Sequence, residues 1–140
     1  AGSLVMLKHR RTISGITFCL YMTAVLVLCL IKTDGLPEVE KSFFGIPFDK
    51  VAHFVMFLPF PILSGLTFIP KDSGIQMRLA TMAVLTIAGA GMAYGTEQLQ
   101  AMTDYRSCDM KDFIADILGI VSGTLISIST ILLKKHSGRK

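Results

Sequence analysis

The stretch FIADILGIVSGTLISISTILL, residues 113–133, decides how this chain folds. Asp116 is its only charged residue, and about 20 apolar residues in a helix are enough to cross the hydrocarbon core of a bilayer. Polar and apolar residues do not alternate along it, as they would in a strand of a transmembrane barrel. Residues 113–133 therefore predict a transmembrane α-helix.

Three similar apolar runs come earlier, at about residues 12–31, 51–69 and 79–98. The chain is 51% hydrophobic and only 17% charged, with a mean hydropathy of +0.59, whereas about a quarter of the residues are charged in a typical soluble domain. Basic residues before the first run resemble the start of a signal peptide, but the run is too long and no small-residue cleavage site follows. The sequence predicts an all-α integral membrane protein, a bundle of four transmembrane helices.

The basic residues are unevenly divided between the two sides of the predicted bundle. Nine of the fourteen lysines and arginines fall on the side of the chain termini, whereas nine of the ten acids fall on the other side. Because cytoplasmic segments carry an excess of Lys and Arg, we expect both termini to be cytoplasmic. The basic residues that give the chain its pI of about 9.1 are then explained by their role in setting the topology. We therefore expect no nucleic-acid partner. The nine basic residues are Lys8, Arg10, Arg11, Lys71, Arg78, Lys134, Lys135, Arg139 and Lys140.

The chain is expected to form one domain with short flanking segments. Residues 1–11 are predicted to be a cytoplasmic N-terminal segment, of which residues 1–3 resemble a cloning remnant. Residues 12–133 form the predicted four-helix transmembrane domain, and residues 134–140 a basic cytoplasmic tail.

Two kinds of residue predict how the helices bend and pack. Pro59 and Pro61 lie within the second span and should kink it, because each removes a helix hydrogen bond. The third and fourth spans contain GxxxG motifs, Gly91–Gly95 and Gly119–Gly123. Such motifs let helix backbones approach closely, so we expect these two spans to pack against each other.

Polar residues gather where three of the four predicted helices reach the outer side. On each span two of them are spaced three or four residues apart, so that pair shares a helix face. Asp112 and Asp116 share theirs with two glycines, which aims these acids into the bundle. An ionisable group within a span costs at least ~2.5–3.5 kcal/mol at the midplane, so it marks a candidate site. The polar residues are Asp49, Lys50, His53, Glu97, Gln100, Asp112 and Asp116.

Several of these side chains also have an ordinary structural interpretation. Asp49 comes just before the second span and fits a helix N-cap. Asp112, in a first turn, would favour the helix dipole, and Gln100 could be solvated. A single histidine such as His53 is most often a hydrogen-bonded structural residue.

Two acids are harder to explain in this way. Asp116 lies one turn too deep to be a cap. Glu97 needs a partner, such as His53 or Arg106, to offset its burial. We therefore interpret the polar residues as the walls of a site.

The same residues resemble the signature of a known family. In order and spacing they are similar to the VanZ-like family of bacterial membrane proteins, over roughly residues 48–123. Many members carry Asn where this chain has Asp116, so the chain adds a negative charge there. The resemblance implies a multi-pass protein of the bacterial cytoplasmic membrane and a link to teicoplanin resistance, but no particular reaction. The matching stretches are DKVAH (49–53), EQLQ (97–100), Arg106 and DFIADILGIVSG (112–123).

Two classes of function fit these residues. In the first, an outward-facing site binds or modifies a cell-envelope lipid or a lipid-linked cell-wall precursor. In the second, the protein is a non-enzymatic scaffold, or binds a partner protein or a second copy of itself, and the charged residues are structural. The sequence does not decide whether the protein is an enzyme. It contains no G-x-S-x-G motif, so covalent catalysis is not indicated. In the first class the catalytic candidates are His53, Glu97, Asp112 and Asp116, and the head-group ligands are Asp49, Lys50, Gln100 and Arg106.

The four catalytic candidates could also hold a divalent metal. An oxygen-rich set with one imidazole suits Mg²⁺, Mn²⁺ or Zn²⁺. We expect neither haem, because the predicted spans contain a single histidine, nor a nucleotide cofactor. The candidate metal ligands are His53, Glu97, Asp112 and Asp116.

Overall fold

The computed structural model describes residues 2–31, 42–104 and 108–138 of the chain. These residues are almost entirely helical, apart from one short antiparallel hairpin. In chain order the elements are α1 (Gly2–Leu30), β1 (Ser42–Phe43), β2 (Ile46–Pro47), α2 (Phe48–Phe57), α3 (Pro59–Phe68), α4 (Ile75–Ala101) and α5 (Met110–Ser137).

Four helical segments of the described chain are long and apolar enough to cross a membrane: α1, α2 together with α3, α4, and α5. The prediction of an all-α protein with four candidate transmembrane helices is confirmed. α4 and α5 extend beyond the predicted apolar runs at both ends, and α1 extends beyond its run at the N-terminal end, because each helix continues into polar or basic residues. α1 begins at Gly2, so residues 2–11 are continuous with the first membrane segment.

The surface of the bundle is strongly apolar. Large side chains such as Leu20, Leu66, Ile87 and Leu125 are exposed, one on each of the four segments. Soluble monomers rarely expose contiguous apolar surface of this extent. The exposed faces are therefore suited to contact with lipid.

The second membrane segment is interrupted at Leu58, between α2 and α3. Pro59 begins α3 and has no N–H to donate, so the carbonyl four residues earlier loses its helical partner. The N–H of Leu58 still donates to the carbonyl of Phe54, at 3.0 Å. The interruption is therefore local, and it lies where the prolines predicted a kink.

α5 is the helix against which the second membrane segment packs most closely. A Cβ added at Gly119 would collide with the carbonyl oxygen of Phe54 in α2. A Cβ at Gly123 would collide with the carbonyl oxygen of Leu58. Because both obstacles are backbone atoms, glycine is required for this close approach.

α4 and α5 also pack together, as predicted, but not through paired GxxxG motifs. Within the described residues, a Cβ at Gly91 or Gly95 would have no neighbour within 4 Å. The close approach in α4 is at Gly89, where a Cβ would lie 2.8 Å from the ring of Phe60 in α3 and 3.5 Å from the side chain of Ile120 in α5. A GxxxG motif identifies a helix face that tolerates close approach, but it does not identify the neighbour that uses it.

An apolar core lies under the end of the bundle that carries the polar residues. Phe57, Ala93 and Ile120 are buried, and each lies four residues along its helix from a polar candidate. α1 adds Val25 and Cys29 to the same core. The polar side chains therefore rest on a layer of packed apolar groups that positions them.

Candidate functional site

Three helix ends bring polar side chains together at one end of the bundle. The first turns of α2, the last turns of α4 and the first turns of α5 converge there. We call His53, Glu97 and Asp116 the histidine cluster. We call Lys50 with Asp49, Asp109 and Asp112 the lysine cluster.

His53 of α2 lies between carboxylates from α4 and α5. Its Nδ1 atom is 2.8 Å from Oδ1 of Asp116 and 4.0 Å from Oε1 of Glu97. Its Nε2 atom is 3.6 Å from Oδ2 of Asp112, which is too long for a hydrogen bond. The imidazole therefore makes one strong contact and faces two further acids.

The two acids of the histidine cluster are almost completely buried. Glu97 is 1% exposed and Asp116 is 0% exposed. Oε2 of Glu97 accepts from the backbone N–H of Asp109 at 3.3 Å. Oε1 of Glu97 and Oδ2 of Asp116 have no hydrogen-bond partner among the described residues. Leaving such an atom unpaired costs about 1–3 kcal/mol, and more when the group is charged.

Lys50 is fully engaged by the acids around it. Its ammonium group donates to Oδ2 of Asp49 at 2.9 Å, to Oδ2 of Asp109 at 2.8 Å, and to Oδ1 of Asp112. An ammonium group has three donors, so none remains for another ligand. Asp112 also faces His53 through its other oxygen, so this one carboxylate links the two clusters.

Asp109 belongs to the site, although from the sequence alone it could simply be solvated. It is the N-cap of α5, because its Oδ1 accepts from the backbone N–H of Lys111 at 2.9 Å. The hydrogen bond from Lys50 holds the pKa of the Asp109 carboxyl below its usual value. An aspartate just before an apolar run is a recognised helix-start signal, and that signal could have identified it.

The N-cap interpretation of Asp49 is wrong. The N-cap of α2 is Pro47, with no side-chain cap, and Asp49 lies in the first turn of the helix. Its side chain is 59% exposed and contacts Lys50. Asp49 therefore forms the rim of the lysine cluster.

Gln100 belongs to neither of the two clusters. Gln100 is 3% exposed, so it is not solvated, and its amide donates to the carbonyl of Cys29 at 3.2 Å. It thereby connects α4 to α1. Arg106 lies outside the described residues.

The histidine cluster has the geometry of a candidate cation site. His53, Glu97 and Asp116 each offer one ligand atom, and these atoms lie within 4.8 Å of one another. Asp112, the fourth predicted ligand, is directed mainly towards Lys50. The two clusters together contain five carboxylates, against the single ammonium of Lys50 and the imidazole of His53.

The sequence was compared with known families, curated proteins and solved structures. A profile described as VanZ/LLP1 matches residues 9–133, nearly the whole chain. Searches of the curated proteins and of the solved structures returned no match. The matched range contains every residue of the two clusters.

Proposed function

The chain belongs to the VanZ/LLP1 family, and from this premise we propose that it binds the phosphate-bearing head group of a cell-envelope lipid or lipid-linked cell-wall precursor. In this proposal a divalent cation in the histidine cluster bridges the protein and the head group. One observation carries it: Glu97 and Asp116 are buried, and each keeps an oxygen without a partner among the described residues.

The charges of the histidine cluster favour a cation. Glu97 and Asp116 can carry two negative charges, whereas the imidazole of His53 carries at most one positive charge. A divalent cation would neutralise both carboxylates and use their unpartnered oxygens as ligands. Two carboxylates with one imidazole suit Mn²⁺ or Zn²⁺, and Mg²⁺ if water supplies further ligands.

The position of Asp112 supports the same assignment. With Nδ1 of His53 on a metal, the proton of the ring would lie on Nε2, which faces Oδ2 of Asp112 at 3.6 Å. Metal-binding histidines usually donate their second N–H to a carboxylate or carbonyl. A small movement of Asp112 would complete that hydrogen bond.

An anionic head group needs this cation, because the site itself is acidic. Lys50 has no free donor for a phosphate, since it serves three carboxylates. A bound cation would screen the carboxylates and offer open positions to phosphate oxygens. It would also polarise a phosphoryl group, with the carboxylate of Asp112 placed to accept a proton, so head-group modification belongs to the same proposal.

The division of basic residues supports an orientation for the site. Both termini are then cytoplasmic and the two clusters lie at the outer surface of the bacterial cytoplasmic membrane. Lipid-linked cell-wall precursors are displayed on that surface. The proposal thus brings the site and its ligand to the same face.

Binding of Mn²⁺ by the purified protein tests the cation site directly. We expect about one Mn²⁺ per chain by electron paramagnetic resonance, and at least tenfold weaker binding in Glu97→Gln, on the order of effects at metal sites. The control is Asp104→Asn, which removes an exposed acid at the same end of the bundle. Absence of binding to the wild type, or equal loss in the control, overturns the cation site.

A second experiment tests the head group. The protein is titrated with a polyprenyl phosphate in detergent, with and without Mn²⁺, and with the corresponding polyprenol. We expect binding only when both the phosphate and the metal are present. Equal binding of polyprenol contradicts phosphate recognition.

We extend the proposal to glycopeptide resistance, on the basis of the family resemblance. Expression of the protein in a sensitive bacterium should raise the teicoplanin concentration that stops growth. Glu97→Gln should abolish the increase at equal protein level, and Asp104→Asn should preserve it. A resistance that survives Glu97→Gln would separate this phenotype from the site.

A scaffold role is the second candidate, and the contacts of Lys50 favour it. This residue joins α2 to Asp109 and Asp112 at the start of α5, as a structural network would. If the clusters only hold the helices together, Glu97→Gln should destabilise the fold. Residues of a ligand site are often neutral or stabilising when neutralised, because function and stability compete there.

A further inference from the structure

An apolar groove lies at the opposite end of the bundle from the two clusters, between α3 and α5, and basic side chains close its far end. We propose that this groove binds one anionic phospholipid of the adjacent leaflet. The phosphodiester contacts Lys71, Arg78 and Lys134, and one acyl chain lies along the groove.

The walls of the groove fit an acyl chain. α3 contributes Ile62 and Leu66, and α5 contributes Ile126. The groove is open on one side, and its volume is about 150 Å³. A volume of this size holds part of one lipid, and the rest of the chain would continue along the exposed apolar faces of Leu66 and Ile126.

The basic end of the groove is assembled from three separate segments. Lys71 comes from the α3–α4 connection, Arg78 from the first turn of α4, and Lys134 from the last turn of α5. Asp72 is the single acid at this end in the described part of the chain. Basic residues at helix ends set topology, but topology does not require them to converge on one groove.

Hydrogen bonds to the α3–α4 connection hold the side chain of Arg78 in place. Its Nε atom donates to the carbonyl of Ser73 at 3.0 Å, and its Nη2 atom donates to the carbonyl of Lys71. The side-chain oxygen of Ser73 donates in turn to the carbonyl of Pro70 at 2.7 Å. The guanidinium group is therefore half-buried and positioned before any ligand arrives.

A phospholipid is the ligand whose chemistry matches both parts of the groove. The ammonium groups of Lys71 and Lys134 have no carboxylate partner among the described residues. Basic pockets between membrane helices bind anionic lipid head groups, with each Lys or Arg near the surface contributing about 1 kcal/mol. A soluble anion would satisfy the charges and leave the apolar walls uncovered.

This inference is independent of the polar clusters. Asp116 and Lys134 are eighteen residues apart on α5, which corresponds to about 27 Å along the helix. Neither the cation site nor the proposed orientation enters the argument. Failure of either proposal therefore leaves the other untouched.

Native mass spectrometry of the detergent-purified protein, titrated with phosphatidylglycerol or phosphatidylcholine, tests the groove. We expect one tightly bound phosphatidylglycerol and much weaker binding of phosphatidylcholine. The double variant Lys71→Gln with Lys134→Gln should bind phosphatidylglycerol about thirtyfold less tightly. The charge-matched control, Lys8→Gln with Arg11→Gln, should bind it normally, since these residues do not line the groove.

Thr130→Phe distinguishes a groove from general attraction to positive charge. Thr130 lines the groove, so the aromatic ring would occupy the place of the acyl chain without changing any charge. We expect this variant to lose phosphatidylglycerol as the double variant does, with circular dichroism confirming its helicity. Equal loss in the Lys8/Arg11 control, full binding by Thr130→Phe, or equal binding of phosphatidylcholine would overturn the proposal.

Discussion

Nδ1 of His53 lies 2.8 Å from Oδ1 of Asp116, in a pair that joins the second turns of α2 and α5. The other oxygen of this buried aspartate has no partner among the described residues. The contact therefore fixes the orientation of the imidazole and leaves Oδ2 of Asp116 available to a ligand. Several measurable consequences depend on this arrangement.

Asp116→Asn should separate stability from ligand binding. The amide oxygen can still accept from His53, so the pair persists while a buried negative charge is removed. Without added metal, we expect the unfolding temperature to stay the same or rise. Mn²⁺ binding should weaken at least about tenfold.

The control for this variant is Asp72→Asn, at the opposite end of the bundle, which should change neither quantity. A large loss of stability with Mn²⁺ binding intact would mean that Asp116 serves only as a structural partner of the histidine.

Gly119→Ala should destabilise the protein by about 1–3 kcal/mol, as overpacking does in other cores. The new Cβ would meet the carbonyl oxygen of Phe54, and a backbone atom cannot rotate away. Equilibrium unfolding in detergent measures the effect. Gly91→Ala is the matched control, because that position is open, and it should be neutral or more stable by up to about 1 kcal/mol.

Lys50→Met should destabilise the protein by about 2 kcal/mol, less than the ~3–5 kcal/mol of a fully buried ion pair. Asp49 and Asp109 are partly solvated, so the main loss falls on Asp112. Thermal unfolding of this variant is compared with that of Lys111→Met, which removes an exposed lysine nearby. Similar effects of the two substitutions would show that the lysine cluster contributes no specific stability.

The stability that Asp109 contributes should depend on pH. Its pKa is lowered in the folded state, chiefly by the hydrogen bond from Lys50, so its contribution is present above the pKa of an unfolded aspartate, about 3.9. The contribution is lost as the pH falls through the lower folded pKa. The stability difference between wild type and Asp109→Asn should therefore be constant from pH 7 to about pH 5 and shrink below about pH 4.

A double-mutant cycle assigns that pH dependence to Lys50. In the Lys50→Met background, Asp109→Asn should show a smaller and less pH-dependent effect, because the largest cause of the lowered pKa is already absent and only the N-cap hydrogen bond from Lys111 remains. An unchanged pH dependence in that background would assign it to the N-cap hydrogen bond with Lys111.

The membrane segments could be predicted from the sequence because lipid imposes a simple requirement. A run of about 20 apolar residues has few alternatives to a transmembrane helix, and prolines interrupt one at a defined place. The spacing of Asp49, His53, Glu97 and Asp116 also placed polar side chains on helix faces. These inferences use only local geometry along single helices.

The partners of individual side chains could not be predicted in the same way. Gln100 reaches α1, and Gly119 faces α2, because the rotation of each helix depends on the packing of all the others. Asp109 becomes part of the lysine cluster only once α2 and α5 are side by side. Such contacts join residues from separate helices, and spacing within one helix carries no information about them.

The break at Leu58 and the glycines of α5 also determine when the site can assemble during synthesis of the chain. α5 leaves the ribosome after α2, α3 and α4, yet it carries Asp112 and Asp116 and packs against all three. Until α5 has been made, the two halves of the second segment lack the helix that spans their junction, and Glu97 lacks Asp109 and Asp116. The two clusters can therefore form only after α5 has been made, and a nascent chain stopped before α5 contains His53 and Glu97 but not the completed histidine cluster.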